Sequence, residues 1–176
     1  MNGKIARRYA RALLALAIDG QLEKWGAELE KLAAIMGAPE IRMRFMAPDF
    51  SHQARIEAID RIAQRLELSF PLRSFAVVVA RHGRIAELPA ISQAYQTMAD
   101  QRLSRARATL TFARKPNSAE VDQVVSGLAR IAHKTIIPTV RVDEALLGGV
   151  VAELEGKIYD GSIATMIADA ERRLAE

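Results

Sequence analysis

The chain has 176 residues, of which half are apolar and 26% are charged, and its net charge at pH 7 is +4. This composition suits one good-sized globular domain or two small ones. The absence of cysteine excludes disulfides, thiolate metal sites and cysteine nucleophiles. Three histidines, His52, His82 and His133, lie far apart without the spacing of metal ligands. We therefore expect no metal and no cofactor.

The first predicted helix begins near Lys4 and mixes apolar with basic residues. Arg7, Arg8 and Arg11 are interleaved with the apolar positions, whereas a secretory signal places its basic residues before the apolar run. We interpret the segment as a structural helix, and no apolar run in the chain reaches the roughly 20 residues of a membrane span. The residues predicted to share the apolar face of this helix are Ile5, Tyr9, Ala12, Leu13 and Leu16.

Further helices follow up to about residue 105. Gly20 and Gly37 bound the second helix, a short helix is expected after Pro39, and Ser51 is placed to cap a longer one. Pro71 begins a compact apolar helix that ends at Gly83, and a last helix runs from about residue 87 to 105. About six helices joined by short loops predict a helical bundle. The inward residues of the second and fourth helices are Leu22, Trp25, Leu29, Leu32, Met36, Ile56, Ile59, Ala63 and Leu66.

After residue 105 the pattern becomes mixed. Ala108, Leu110 and Phe112 alternate with polar or small residues as in a half-buried strand. Asn117 and Glu120 have the spacing of a capping box for the next helix. The following β-branched run contains Pro138, which predicts an edge strand or a bulge. The inward residues of the helix are predicted to be Val121, Val124, Val125, Leu128 and Ile131.

The predicted fold class is α+β and mostly α. Residues 1–105 form an N-terminal six-helix bundle, and residues 106–176 form a small C-terminal α/β domain that ends in a hairpin and a last helix capped by Ser162.

The basic excess lies in the N-terminal part. Lys and Arg outnumber Asp and Glu by 16 to 11 in residues 1–105, whereas the numbers are 9 and 10 in residues 106–176. A basic helical protein that binds nucleic acid is therefore an alternative interpretation. However, aromatic residues make up only 5% of the chain, which leaves few platforms for base stacking.

The run VDEALLGGVVAELEGKIYDGSI, residues 142–163, is rich in glycine and carboxylates. A phosphate-binding loop would continue with Lys-Ser or Lys-Thr and a helix, but Gly148 and Gly149 are followed by two valines entering a strand. Gly148 and Gly149 are expected to permit a bend, Gly156 a hairpin turn, and Asp160 and Gly161 a turn into the last helix. No histidine or nucleophile accompanies the carboxylates Asp143, Glu144, Glu153, Glu155 and Asp160, so no catalytic residue is expected.

This run resembles the C-terminal signature of the delta subunit of bacterial F-type ATP synthase, a relative of the mitochondrial oligomycin sensitivity conferring protein. RRYARALLALA, the Gly-Arg segment near residue 83 and ATLTFARKPNSAE are similar to other parts of the family pattern, so the resemblance covers essentially the whole chain. Glu144, where a proline is common, and Arg114-Lys115 depart from it. The signature residues are Asp143, Gly148, Gly149, Gly156, Asp160, Gly161 and Ser162.

The resemblance implies a non-catalytic stator subunit that keeps the head from rotating with the rotor. Its helical domain would bind the N-terminal helix of an alpha subunit, and its C-terminal domain would bind the peripheral-stalk b subunits. It would contact the membrane only through the complex, at the cytoplasmic face of the bacterial inner membrane, and would bind no nucleic acid. The start of the chain, with no transit extension, favours a bacterial origin.

Helix-in-groove binding requires apolar residues beyond those of the core, and the first and fifth helices offer them. The candidate residues for the alpha-subunit helix are Ala6, Tyr9, Ala10, Leu13, Ala17, Phe75, Val78 and Val79. For the stalk we expect the exposed part of the hairpin and the outer face of the last helix to contribute. The candidate residues there are Ile167, Ala170, Arg172, Arg173 and Leu174.

Overall fold

The computed structural model describes residues 3–162, and the chain divides into two compact units between Leu103 and Ser104. Within the described residues the first unit contains six α-helices, and short 3-10 turns precede α2 and α6. The helices are α1 (Gly3–Leu16), α2 (Leu22–Gly37), α3 (Pro39–Met46), α4 (His52–Arg65), α5 (Phe70–Arg81) and α6 (Leu88–Arg102).

The core of the helical unit forms around α2 and α6. The predicted inward residues of α2 are all buried, and in α4 Ile59 and Ala63 are buried while Ile56 and Leu66 are partly buried. Tyr95 of α6 is completely buried, and its hydroxyl donates a hydrogen bond of 3.3 Å to the Leu22 carbonyl. Burial raises the pKa of Tyr95 to about 12, so the phenol stays neutral.

The predicted inward face of α1 is partly wrong. Leu13 is buried, but Leu16 is 71% exposed and Ala12 is also exposed. Since α1 packs mainly against α6, the inward positions must allow close approach of two helices. Small side chains satisfy that requirement better than large apolar ones. The buried residues of this face are Ala6, Ala10, Leu13 and Ala17.

A buried carboxylate fixes the start of α5. Glu28 of α2 is only 8% exposed and accepts hydrogen bonds from the Ser69 backbone N–H at 2.9 Å and the Ser69 hydroxyl at 2.6 Å. Ser69 precedes the first residue of α5, so the negative charge lies at the positive end of the helix dipole. This contact ties α2 to α5 across 41 residues of sequence.

An ion pair joins α4 to α5. Arg73 donates from Nε to Asp60 Oδ1 at 2.6 Å and from a terminal nitrogen to Asp60 Oδ2 at 2.7 Å, which is a bidentate arrangement. About one-third of each side chain is exposed. The hydrogen bond from the Arg73 guanidinium holds the pKa of Asp60 below its usual value of 3.8.

The second unit is a four-stranded mixed sheet with one described helix. Strand order is β2-β1-β3-β4, with β1 and β2 parallel and the other two pairings antiparallel. Strand β2 lies at an edge, as Pro138 predicts, and Pro138 faces Ala108 in the β1–β2 register. The elements are β1 (Arg105–Phe112), α7 (Ser118–Ala132), β2 (Thr135–Val142), β3 (Gly149–Leu154) and β4 (Lys157–Ser162).

The core of this unit lies between α7 and one face of the sheet. The predicted alternation in β1 is confirmed, and Leu128 is the buried residue of α7, with Val121, Val124 and Val125 packed at its margin. The prediction for Ile131 is wrong, because this residue is 60% exposed. The side of α7 that packs on the sheet continues from Leu128 to Ala132, four residues later. Ile131 therefore lies at the edge of this side and points towards solvent. The predicted capping box is confirmed by reciprocal 2.9 Å bonds between Asn117 and Glu120.

The glycine-rich run forms the β3–β4 hairpin. Glu155 and Gly156 make its two-residue turn with φ values of 50° and 80°, a left-handed pair that favours glycine. Asp160 and Gly161 lie in β4 and not in a turn, so that expectation is wrong. Gly161 pairs with Val150, and a Cβ there would lie 3.3 Å from the Val150 carbonyl oxygen. Because Gly161 has no side chain, β3 and β4 can approach closely at this point, and their pairing continues to Ser162. The predicted last helix lies outside the described residues.

Replacing Glu28 tests its role in holding α5. In Glu28→Ala the N–H and O–H of Ser69 lose their buried acceptor, and we expect the free energy of unfolding to fall by about 2 kcal/mol. Glu28→Gln retains one acceptor oxygen and should cost less. Urea unfolding measures both, with Glu30→Ala on the exposed side of α2, which loses only an exposed hydrogen bond from Gln96, as the control. An equal loss in Glu28→Ala and Glu30→Ala would contradict the role of this contact.

The Asp60–Arg73 pair should make stability depend on pH. The pKa of Asp60 is lower in the folded state than its unfolded value of 3.8. The ion pair therefore contributes to the free energy of unfolding in full above pH 3.8, and this contribution is lost as the pH falls from 3.8 through the folded-state pKa. A double-mutant cycle with Asp60→Asn and Arg73→Gln, measured by urea unfolding at several pH values, should give a coupling energy that shrinks in this window. A coupling energy independent of pH would show that the charge of Asp60 does not stabilise the fold.

Candidate partner-binding surfaces

The residues predicted to bind an alpha-subunit helix differ in their exposure. Ala6, Ala10, Leu13 and Ala17 are between 0% and 4% exposed, and Val79 is completely buried. These five belong to the core of the helical unit. The remaining three candidates, Tyr9, Phe75 and Val78, reach the surface.

Tyr9 connects α1 to α5 through aromatic contacts. Its ring centroid lies 6.3 Å from that of Phe75 and 6.4 Å from that of His82, and both pairs are edge-to-face. The Arg8 guanidinium lies 5.8 Å from the Tyr9 centroid. Edge-to-face rings of this kind pack favourably while leaving part of their faces accessible. Tyr9 and Phe75 are accordingly half-buried.

The exposed side of α5 continues this apolar area. Val78 is 42% exposed and Phe70 is 81% exposed, and both line a groove of about 420 Å³ beside the Asp60–Arg73 pair. Sequence reasoning missed Phe70, the first residue of α5, which lines the same groove as Val78. We call Tyr9, Phe70, Phe75 and Val78 the α1–α5 surface.

The second unit has one sheet face without α7. The register places Thr109, Glu153 and Ile158 in a row across β1, β3 and β4. Glu153 is exposed, and Ile158 is 71% exposed. Within residues 104–162, the helix α7 packs on the opposite face, which holds the buried residues of β1. Ile158 is thus a large apolar side chain on the open side of the hairpin.

The stalk candidates Ile167, Ala170, Arg172, Arg173 and Leu174 lie outside the described residues. The structure describes the chain up to Ser162, the last residue of β4.

The carboxylates of the signature run take part in local structure. Asp143 accepts a 3.0 Å hydrogen bond from the Ala145 N–H and stabilises the loop before β3, while Glu155 in the hairpin turn is paired with Lys134.

Across residues 3–162, no group of three metal-ligating side chains comes together, and no helix there is both long and apolar enough to span a membrane.

Comparison with known proteins gives consistent matches over the whole chain. A sequence model of the ATP synthase delta (OSCP) subunit family matches residues 5–174. The ATP synthase subunit delta of Anaeromyxobacter dehalogenans is 34% identical over 100% of this chain and 99% of its own. That of Citrifermentans bemidjiense is 31% identical over 93% of this chain and 92% of its own.

A solved structure shares the fold. One chain of the cryo-EM structure of the Toxoplasma gondii mitochondrial ATP synthase hexamer aligns with a TM-score of 0.66 and 19% identity, covering 97% of each chain. The resemblance seen in the glycine-rich signature is therefore confirmed, and none of these matches supports the nucleic-acid alternative. The chain belongs to the ATP synthase delta (OSCP) subunit family and is a structural, non-catalytic component of the peripheral stalk of ATP synthase.

Proposed function

We propose that this protein joins the catalytic head of ATP synthase to the stalk so that the head does not rotate with the rotor. In this proposal α1–α6 act as a six-helix bundle that binds the N-terminal helix of an alpha subunit. The unit from residue 104 onward binds the b subunits. The site of action is the cytoplasmic face of the bacterial inner membrane, which the protein reaches only through the complex.

The observation that carries the proposal is the α1–α5 surface. After the core has been filled by alanines and by Leu13 and Val79, two neighbouring helices still carry half-buried rings, Tyr9 and Phe75, and α5 also carries the exposed Phe70 and Val78. An amphipathic helix binds such a strip through apolar side chains three and four residues apart. The proposed contact is therefore narrower than the sequence suggests, and it centres on Tyr9, Phe75 and Val78 with Phe70 added.

The strength required of this joint sets the number of contacts. A joint under torque must stay bound, and nanomolar affinity corresponds to about −12 kcal/mol. One buried Phe or Leu side chain contributes roughly 1.5–3 kcal/mol before ordering costs. Several anchors of the α1–α5 surface must consequently act together, and no single residue is expected to be essential.

Removing the two half-buried rings tests the head contact. We expect the full chain carrying Tyr9→Ala and Phe75→Ala to bind a peptide from the N-terminus of the alpha chain more than about fivefold more weakly, a loss of about 1 kcal/mol. Isothermal titration calorimetry measures the affinity, and circular dichroism checks that the variant is folded. Ile131→Ala, an exposed apolar truncation on α7, should bind normally. Unchanged affinity in a folded double variant would place the groove elsewhere.

A charge on the open side of the hairpin tests the stalk contact. We expect Ile158→Glu in the full chain to weaken binding of a peptide from the C-terminal end of the stalk b chain about tenfold, since an apolar contact would be replaced by a desolvated carboxylate. Binding of the peptide from the alpha chain should not change. Ile131→Glu provides the same substitution on α7 as a matched control. Equal effects of the two substitutions on stalk binding would exclude this side of the hairpin from the interface.

A further inference from the structure

The short helix α3 carries apolar side chains that the core does not use. None of its eight residues is fully buried. Met43 is 67% exposed and Met46 is 64% exposed, while Ile41 and Phe45 only pack at the margin of the core. Exposed large apolar side chains grouped on one element are a feature of interaction sites. The α1–α5 surface includes none of these residues.

Two depressions adjoin α3 and share two of its residues. One is a cavity of about 260 Å³ between α3, the end of α2, Arg55 of α4 and the turn before α6. The other, of about 390 Å³, lies along the length of α3 from Pro39 to Ala47. Arg42 and Met46 line both, so the depressions are neighbours. We call the area the α3 surface. Its apolar residues are Met36, Met43, Phe45, Met46 and Ile85.

The charged side chains that line the α3 surface are all basic. They are Arg42 and Arg55, and no carboxylate is among the lining residues of either depression. The nearby Arg44 is already paired with Asp49 at 2.9 Å. A partner of opposite charge would therefore find two cations beside an apolar floor, whereas a basic partner would be repelled.

The guanidinium of Arg55 is anchored beside the C-terminal end of α3. One terminal nitrogen of its guanidinium donates to the Ala47 carbonyl at 3.0 Å. Its Nε–H is buried and has no acceptor among the residues that the structure describes. The anchored guanidinium keeps its positive charge beside the apolar residues of the α3 surface, where a carboxylate of a partner would be attracted to it.

We propose that the α3 surface binds an acidic amphipathic helix from another protein chain, at a site separate from the α1–α5 surface. Two adjoining depressions suit apolar side chains three and four residues apart on a helix, and methionine side chains adapt to such partners. The two arginines select for glutamate or aspartate flanking those side chains. A second copy of this chain fits less well, because a symmetric contact would bring the same arginines face to face.

The test uses the full chain with isotope-labelled methionine methyl groups, of which the sequence has six. The probe is a designed peptide of about 18 residues, long enough to form a helix, with leucines on one face and glutamates on the other. A matched peptide has lysine in place of every glutamate. We expect the acidic peptide to shift the methyl signals of Met36, Met43 and Met46 but not that of Met98, which lies on α6 and faces α1 instead of α3. The lysine peptide should shift none of them.

Variants locate the contact. Met43→Gln with Met46→Gln should weaken acidic-peptide binding at least about tenfold, and Arg42→Gln should weaken it and reduce its dependence on salt. The Tyr9→Ala and Phe75→Ala variant should bind the acidic peptide normally, which separates this result from that of the head contact. The proposal would be overturned by equal shifts with both peptides or by no shift at all. Concentration-dependent shifts without peptide would assign the surface to a second copy instead.

Discussion

The helical unit depends on the close approach of α1 to α6. Alanines at positions 6, 10 and 17 line the interface, so the backbones can approach without displacing the ring of Tyr95 or the other large side chains of the core. Once these small residues face α6, the helical geometry fixes where the larger residues of α1 lie. Tyr9 turns towards α5 and Leu16 towards solvent. The exposed aromatic area is thus a consequence of how the core is packed.

A second constraint positions α5 beside Tyr9. The Glu28 carboxylate holds the backbone and hydroxyl of Ser69, and the ion pair between Asp60 and Arg73 holds the following turn against α4. Both contacts lie at the N-terminal part of α5, so they determine which side chains of the helix point towards α1. Phe75 meets Tyr9 because the start of its helix is held in this way. A partner surface on flexible side chains alone would lose more entropy on binding.

Local signals in the sequence predicted much of this fold, whereas packing decided the rest. Four features depend on neighbouring residues and could be predicted. They are the capping box at Asn117, the Ser51 cap, the edge position of Pro138 and the hairpin turn at Gly156. The inward face of α1, the exposure of Ile131 and the strand position of Gly161 could not be predicted. Each of these features depends on how closely another helix or strand packs against the residue. A prediction from hydrophobicity alone expects leucine to be buried before alanine, whatever the distance between the packed elements. For the same reason, the sequence does not show that five of the predicted head-binding residues belong to the core.

The topology of the small sheet has a consequence for the order in which it forms. Strands β3 and β4 are joined by a two-residue turn, so their pairing closes a very short loop. Strand β1 instead pairs with β2 across the whole of α7 and with β3 across about forty residues. Long loop closure slows pairing, and the hairpin should therefore assemble locally before β1 joins it. Strand β1, one of the two central strands of the finished sheet, is then among the last to find its partners.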